Sequence, residues 1–195
     1  WSEMCVKDIG KVVTGKTPST DRKENFDGNV PFLTIPDMHD KLVVTKTTRF
    51  LSKKGAQTQA NKTLPSQSIC VSCIGTGGLV VLNGYSVQTN QQINSIIPNK
   101  RELTYFHFLN VHQKGREIIE FGNKGSVGVN MNKSEFEELV LIRPDFAIML
   151  SFSIIITPVL NSITLFQKEM HCLSDMLGLL LSKMSKVEST NNEQV

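Results

Sequence analysis

No aspartate or glutamate occurs between Lys41 and Arg101, a stretch that carries Lys41, Lys46, Arg49, Lys53, Lys54, Lys62, Lys100 and Arg101. An ordinary solvated surface mixes both signs, so the overall formal charge of +3 understates how one-sided this part of the chain is. Acid-free sequence rich in Thr, Ser, Asn and Gln implies a face that meets an anion, with a polyphosphate the plainest choice. The alternative is that acids elsewhere in the fold neutralise it.

Other absences narrow the chemistry. Cys70 and Cys73 form a C-x-x-C, but no second C-x-x-C and no H-x-x-x-H completes a zinc site. Both lie inside the β-leaning run SICVSCI, whereas reactive thiol pairs belong at a helix N-terminus. Cys70 and Cys73 read as core thiols in a reducing cytoplasm; the other two cysteines are Cys5 and Cys172. His39, His107, His112 and His171 are scattered and read as ordinary core or surface residues. GTGG at 75–78 is followed by no Lys-Ser/Thr and opens no G-x-G-x-x-G helix. FGNKG at 121–125 only imitates a methyltransferase cofactor loop, and no Asn or Asp precedes a Pro-Pro-aromatic triplet. With no Ser/His/Asp set either, the expectation is a protein that is not an enzyme, with no cofactor and no metal.

Membrane and leader signals are thin as well. The longest apolar run, 146–160, has no charge but is interrupted by Ser151, Ser153 and Pro158 and is short for a bilayer span. It reads as a buried helix in a protein without membrane contact. The chain starts at Trp1 rather than Met and shows no basic-then-apolar leader, so it reads as processed or trimmed.

What is present is a mixed α/β (α+β) pattern. Residues 1–14 read as extended and lead into the punctuated loop GKTPSTDRKENFDGNVPF. FLTIPD and KLVVTKTTRFL read as short strands, and SKKGAQTQANK as a short polar helix or loop. Ser68–Ile74, Leu79–Leu82 and Gln92–Ile97 are strand-like pieces between Gly-rich turns, which implies a curled mixed or antiparallel sheet. Residues 101–121 read as one helix. Asn132 with Glu135 has the form of a capping box that starts a short helix at Lys133, ahead of the strand LVLIR. From Ile156 an apolar seam repeats at spacings of three and four: Val159, Ile163, Phe166, Met170, Leu173, Leu177, Leu180 and Met184. That is the pattern of a long coiled-coil-type helix. The segment 146–156 is too short to cover the seam, so a second chain, or a missing part of this one, is expected to do so.

Taken in order, VTGKTPST, NVPFLTIPD, FLSKKGA, LPSQSICVSCIGTGG, TNQQINSIIP and GSVGVNMNKSEFEELVLIRP, closed by LSDMLGLLLSKM, resemble the DNA-specificity (S) subunit of type I restriction-modification systems. The resemblance covers one target-recognition domain (1–145) and one helical spacer or dimerisation region (146–188), with a disordered tail at 189–195. It departs from the family in two ways. No internal repeat supplies the second recognition domain and second spacer, and the polar helix usual after the domain is replaced by AIMLSFSIII.

The resemblance implies sequence-specific binding of double-stranded DNA. It also implies work with a methyltransferase subunit and a restriction subunit, and either a homodimer through the last helix or pairing with a missing second half. The amides of TNQQ are then scaffold, holding loop backbone, with direct reading of a base such as adenine as the alternative. DNA contacts are expected from Lys16, Thr17, Ser19, Thr20, Arg22 and Lys23, from Lys53 and Lys54, from Thr76 and Gly77, and from Asn123, Lys124, Ser126, Asn130 and Lys133. Arg and Lys donate to guanine, Asn and Gln pair with adenine, and Thr, Ser and bare amides suit phosphates. Two other functions fit the same pattern: an interaction adaptor whose basic face meets protein or RNA, and a detached recognition domain of a fused restriction-methylation enzyme.

Overall fold

A computed structural model of the chain describes residues 1–122 and 129–192, the stretch 185–192 by its backbone alone. The first fourteen residues are not continuously extended. β1 (Ser2–Cys5) is followed by one helical turn, α1 (Val6–Ile9), and then by β2 (Gly10–Thr14). Asp8 Oδ2 accepts from Cys5 N–H at 2.7 Å, which caps that turn and breaks the strand. β3 (Phe26–Leu33), β4 (Val43–Val44), β5 (Arg49–Leu51) and α2 (Lys53–Gln57) follow. Then come β6 (Ile69–Ser72), β7 (Ile74–Gly75), β8 (Val80–Asn83), β9 (Gln88–Thr89) and β10 (Ile93–Pro98). α3 (Thr104–Gln113), α4 (Gly115–Gly122), β11 (Val129–Asn130), α5 (Lys133–Glu137), β12 (Val140–Arg143) and α6 (Phe146–Asn192) complete the chain.

The central sheet has the order β2-β10-β6-β8-β4, antiparallel except for the β4·β8 pair. Strand alternation sends successive side chains to opposite faces. Val12, Ile69, Val71 and Ile96 therefore join the cluster under α3 and α4, with Phe108, Val111 and Ile118. Val13, Cys70, Val81 and Ile93 join a second cluster with Leu33, Met38 and Leu64. The C-x-x-C straddles these clusters, since Cys73 lies in the first and Cys70 in the second. Burial pushes their thiols up to about 11 and about 12, so neither is a thiolate at neutral pH. Among the described residues no group of three His, Cys, Asp or Glu could hold a metal.

The segment 101–121 is two helices rather than one. The break falls at Lys114, and on Gly115, which opens α4, a Cβ would lie 2.5 Å from the Gly78 carbonyl oxygen. The turn between α3 and α4 is thus set by close backbone contact with the β7–β8 loop. The capping box is formed as written in the sequence: Asn132 Oδ1 accepts from Glu135 N–H at 3.0 Å, and Glu135 Oε2 accepts from Asn132 N–H at 2.8 Å.

His107 lies on α3 with only 4% of its surface exposed. Burial, aided by the nearby Lys100 charge, pushes its pKa down from 6.5 to about 4. The unfolded chain then binds a proton that the folded chain refuses between pH 6.5 and 4. This group's contribution is full above pH 6.5 and falls by about 1.4 kcal/mol per unit below it, about 3 kcal/mol in all. Urea melts across that range should show the slope, and His107→Leu should flatten it.

α6 corrects two expectations. It is one helix of 47 residues that carries Pro158 inside it, so the segment 146–156 is continuous with the seam and does not fold back on it. Pro158 sits on the exposed side, where the carbonyl it leaves without an N–H partner can reach water. Nor is the segment 146–160 buried. Met149, Ser153 and Leu160 face the globular part, while Ile148, Phe152, Ile154, Ile155 and Val159 are exposed. The interior positions face the domain, and the rest of the run awaits another surface. Phe146–Met184 is long and apolar enough to cross a bilayer by length and composition. However, Lys168, Glu169, Asp175 and Lys183 lie along it, and Asp175 pairs with Lys46 of the globular part at 2.9 Å. The tail expected at 189–195 lies at the end of this helix, with 193–195 outside the described residues.

Candidate nucleic-acid interface

The TNQQ turn between β9 and β10 is the hub of one rim of the sheet. Lys16 N–H donates to Thr89 O at 2.9 Å and Gly15 N–H to Ile93 O at 3.1 Å, which lays the GKTPS loop along the turn. A Cβ on Gly15 would sit 2.1 Å from the Asn90 carbonyl oxygen, so only glycine lets the two loops approach this closely. On the other side, Cys73 N–H donates to Gln92 O at 2.8 Å and Gln92 Nε2 to Ile74 O at 3.4 Å. β7 then pairs with β11, Asn130 opposite Ile74 and Val129 opposite Gly75. The loops that hold Lys16, Thr17, Thr76 and Asn130 are thus drawn to a single edge.

α2 extends the same rim. Ser52 caps it by accepting from Gly55 N–H at 3.0 Å, and its hydroxyl donates to Glu24 O at 2.6 Å. A Cβ on Gly55 would fall 2.1 Å from Asn25 O, so the helix start lies tight against that residue. Asn25 Nδ2 in turn donates to Ser19 O at 2.9 Å. From below, the buried Gln88 amide fastens the segment through Ala56 O, Thr63 Oγ1 and Gln59 Nε2. The rim's polar loops are therefore held by backbone and amide hydrogen bonds, which leaves their outer side chains available.

A family model described as the type I restriction modification DNA specificity domain matches residues 1–169. The chain belongs to that family. It is 36% identical over 186 residues to the HindI specificity subunit of Haemophilus influenzae, an alignment that covers 94% of this chain and 40% of that protein. It is 25% identical over 147 residues to the MjaIX specificity subunit of Methanocaldococcus jannaschii, covering 74% of this chain and 34% of that one. The chain thus spans about two fifths of the length of the curated relatives it matches. In fold it is similar to the HsdS subunit from Thermoanaerobacter tengcongensis, with a TM-score of 0.61 at 10% identity over 87% of this chain and 39% of that chain. It also resembles the S subunit from M. genitalium, with a TM-score of 0.57 at 13% identity over 80% and 38% of the two chains.

Lys16, Ser19, Thr20, Arg22, Lys23 and Lys53 are exposed, and no ion pair occupies the four bases among the described residues. Lys54 is paired with Glu24 at 2.8 Å, which lowers the Glu24 carboxyl pKa through that hydrogen bond. Lys133 pairs with Glu137 one turn along α5 at 3.2 Å. Thr76 is exposed, whereas Gly77 is buried beneath Val129 and Gly78 N–H donates to Ser72 O. The open part of that loop is thus Gly75 and Thr76. Asn130 is exposed beside it; Asn123, Lys124 and Ser126 lie outside the described residues.

Of the helix seam, Ile163 is partly covered by the globular core, and Phe166, Met170, Leu173, Leu177, Leu180 and Met184 are exposed. Within TNQQ the structure separates Gln91 from its scaffold neighbours: its side chain is exposed and accepts from Thr17 Oγ1 at 2.6 Å. The turn itself separates them, since Asn90 and Gln92 bond to each other across it and leave Gln91 at its crest.

Proposed function

We propose that this chain reads a short sequence of double-stranded DNA as the specificity component, or half-component, of a type I restriction-modification complex. The observation that carries the reading is the convergence of the Lys16–Lys23 loop, the Gly75–Thr76 turn, Asn130 and α2 on one rim, where Lys16, Arg22, Lys23, Lys53 and Lys54 outnumber the neighbouring Asp21, Glu24 and Asp27. Lys16, Arg22, Lys23 and Lys53 there would neutralise phosphates while side chains on the loops reach base edges. Residues 1–145 act as the recognition domain and 146–188 as the spacer, and the chain directs methyltransferase and restriction subunits rather than performing their chemistry. The buried free thiols fit a reducing cytoplasm.

The spacer's occupant is a second copy of the chain. Its exposed stripe runs Ile148, Phe152, Ile155, Val159, Phe166, Met170, Leu173, Leu177, Leu180, Met184, with Phe152 also edge-to-face on Phe106 at 5.8 Å and Met170 mirrored by Ser162. The pairs 148/184, 152/180, 155/177 and 159/173 are all centred on residue 166. A stripe with that symmetry matches itself when two helices run antiparallel about a two-fold axis at Phe166. Thirty-six steps at 1.5 Å make it about 54 Å long. Each globular part meets the helix from Met149 to Asp175, so its counterpart lies on the opposite side of the helix pair, displaced along the axis toward Met184.

Competition binding tests the reading. Labelled random-sequence duplex should be retained by the full chain and displaced by unlabelled duplex far better than by single strands or structured RNA of equal charge. Equal displacement by all three polyanions would point to a non-selective basic adaptor instead.

A further inference from the structure

Three amides stand side by side in the TNQQ turn, and two of them are spent. Asn90 Nδ2 donates to Gln92 Oε1 at 2.9 Å, and Asn90 Oδ1 accepts from Gln92 N–H at 3.2 Å. Gln92 Nε2 donates across to Ile74 O. The third differs. Gln91 is exposed, its Oε1 accepts the Thr17 hydroxyl at 2.6 Å, and its Nε2 makes no hydrogen bond among the described residues. An amide oxygen has two acceptor sites, so one remains after Thr17 is served, beside two unused donors.

We infer that Gln91 reads adenine, with Nε2–H donating to N7 and the remaining Oε1 site accepting from the N6 amino group. This rests on the DNA reading proposed above and assigns a base contact to a residue outside the basic loops. Thr17 is the positioning residue. Its backbone neighbours are fixed by Lys16 N–H to Thr89 O and Gly15 N–H to Ile93 O, so its hydroxyl sets which way the Gln91 amide faces. An amide already held in its reading orientation loses less conformational freedom on binding than one on a loose loop. Glycines flank the crest on both sides: Gly15 beneath Asn90, and Gly75 where a Cβ would lie 3.1 Å from Gln92 Nε2. No bulky side chain at these two positions stands between Gln91 and an approaching duplex.

The test is selection of bound duplexes from a random library by the full chain and by Gln91→Ala, Gln91→Glu and Thr17→Val. Thermal melts should show that the variants fold, since the Gln91 side chain is on the surface. The wild type should require adenine at one position. Gln91→Ala should reduce that discrimination about ten-fold or more while the other positions and the salt dependence stay as they were. Gln91→Glu, an acceptor without donors, should move the preference toward cytosine, whose N4 amino group donates. Thr17→Val should weaken discrimination several-fold at the same position only. An unchanged profile in Gln91→Ala, or a loss spread evenly over all positions, overturns the assignment. A wild type that shows no preference at any position overturns the DNA reading itself, an outcome visible before any variant is compared.

Discussion

Replacing Leu173 and Leu177 with Asp is expected to turn a dimer at tens of micromolar into a monomer and to lower affinity for a split DNA site by a factor of about 10² to 10⁴. Both leucines are more than half exposed in the single chain, 60% and 57%. Covering a leucine stabilises by about 1.5 to 3 kcal/mol, and two-fold symmetry doubles each position, so the pair accounts for several kcal/mol of association. Asp at these places adds unpaired carboxylates to an apolar seam. DNA affinity falls with dimerisation because the second half-site is then met from bulk solution instead of at the millimolar effective concentration set by a rigid rod. Binding to a single half-site should be unchanged, since no DNA-facing loop is touched. Light scattering on the unaltered chain decides the premise. A monomer at these concentrations would mean that the stripe belongs to the second half of a longer subunit.

The second large effect is in salt. If about six basic groups neutralise phosphates, log K should fall against log salt with a slope of about −5, so a rise from about 50 to 200 mM costs about three orders of magnitude. Lys16, Arg22, Lys23, Lys53 and Lys54 stand on or beside the rim, so a dimer has more than enough charge. Changing Lys53 and Lys54 to Ala should weaken all duplexes alike and flatten the slope by about 2 per chain. Part of the Lys54 effect is indirect, because the substitution leaves Glu24 uncompensated near the phosphates. A flat salt response would count against nucleic acid as the ligand.

Local features were legible in the sequence because local chemistry decides them. The Asn132–Glu135 box is written in four residues and forms as written, and the alternating runs around Ile69, Val80 and Ile93 become the sheet. The break ahead of Gly115 was not legible, since it depends on Gly78 coming within van der Waals reach from a distant loop. The run 146–160 misled for a related reason. Apolar composition says that a surface seeks cover, and only the packing of Met149, Ser153 and Leu160 against the domain shows which face has found it. In the rim, the sequence identified loops but not their meeting. Gly15 and Asn25 carry contacts that gather them without a pattern of their own, whereas Gln92 Nε2 on Ile74 O is a loop-holding amide of the kind expected of TNQQ.

Whether this chain distinguishes one DNA sequence from others is read out by selection from a random duplex library. The selected duplexes should share a split, palindromic motif with a fixed gap and carry two copies of the chain, and the Leu173→Asp, Leu177→Asp protein should lose the second half-motif. Retained duplexes with no enriched sequence, in a chain shown to be folded, would contradict sequence-specific recognition.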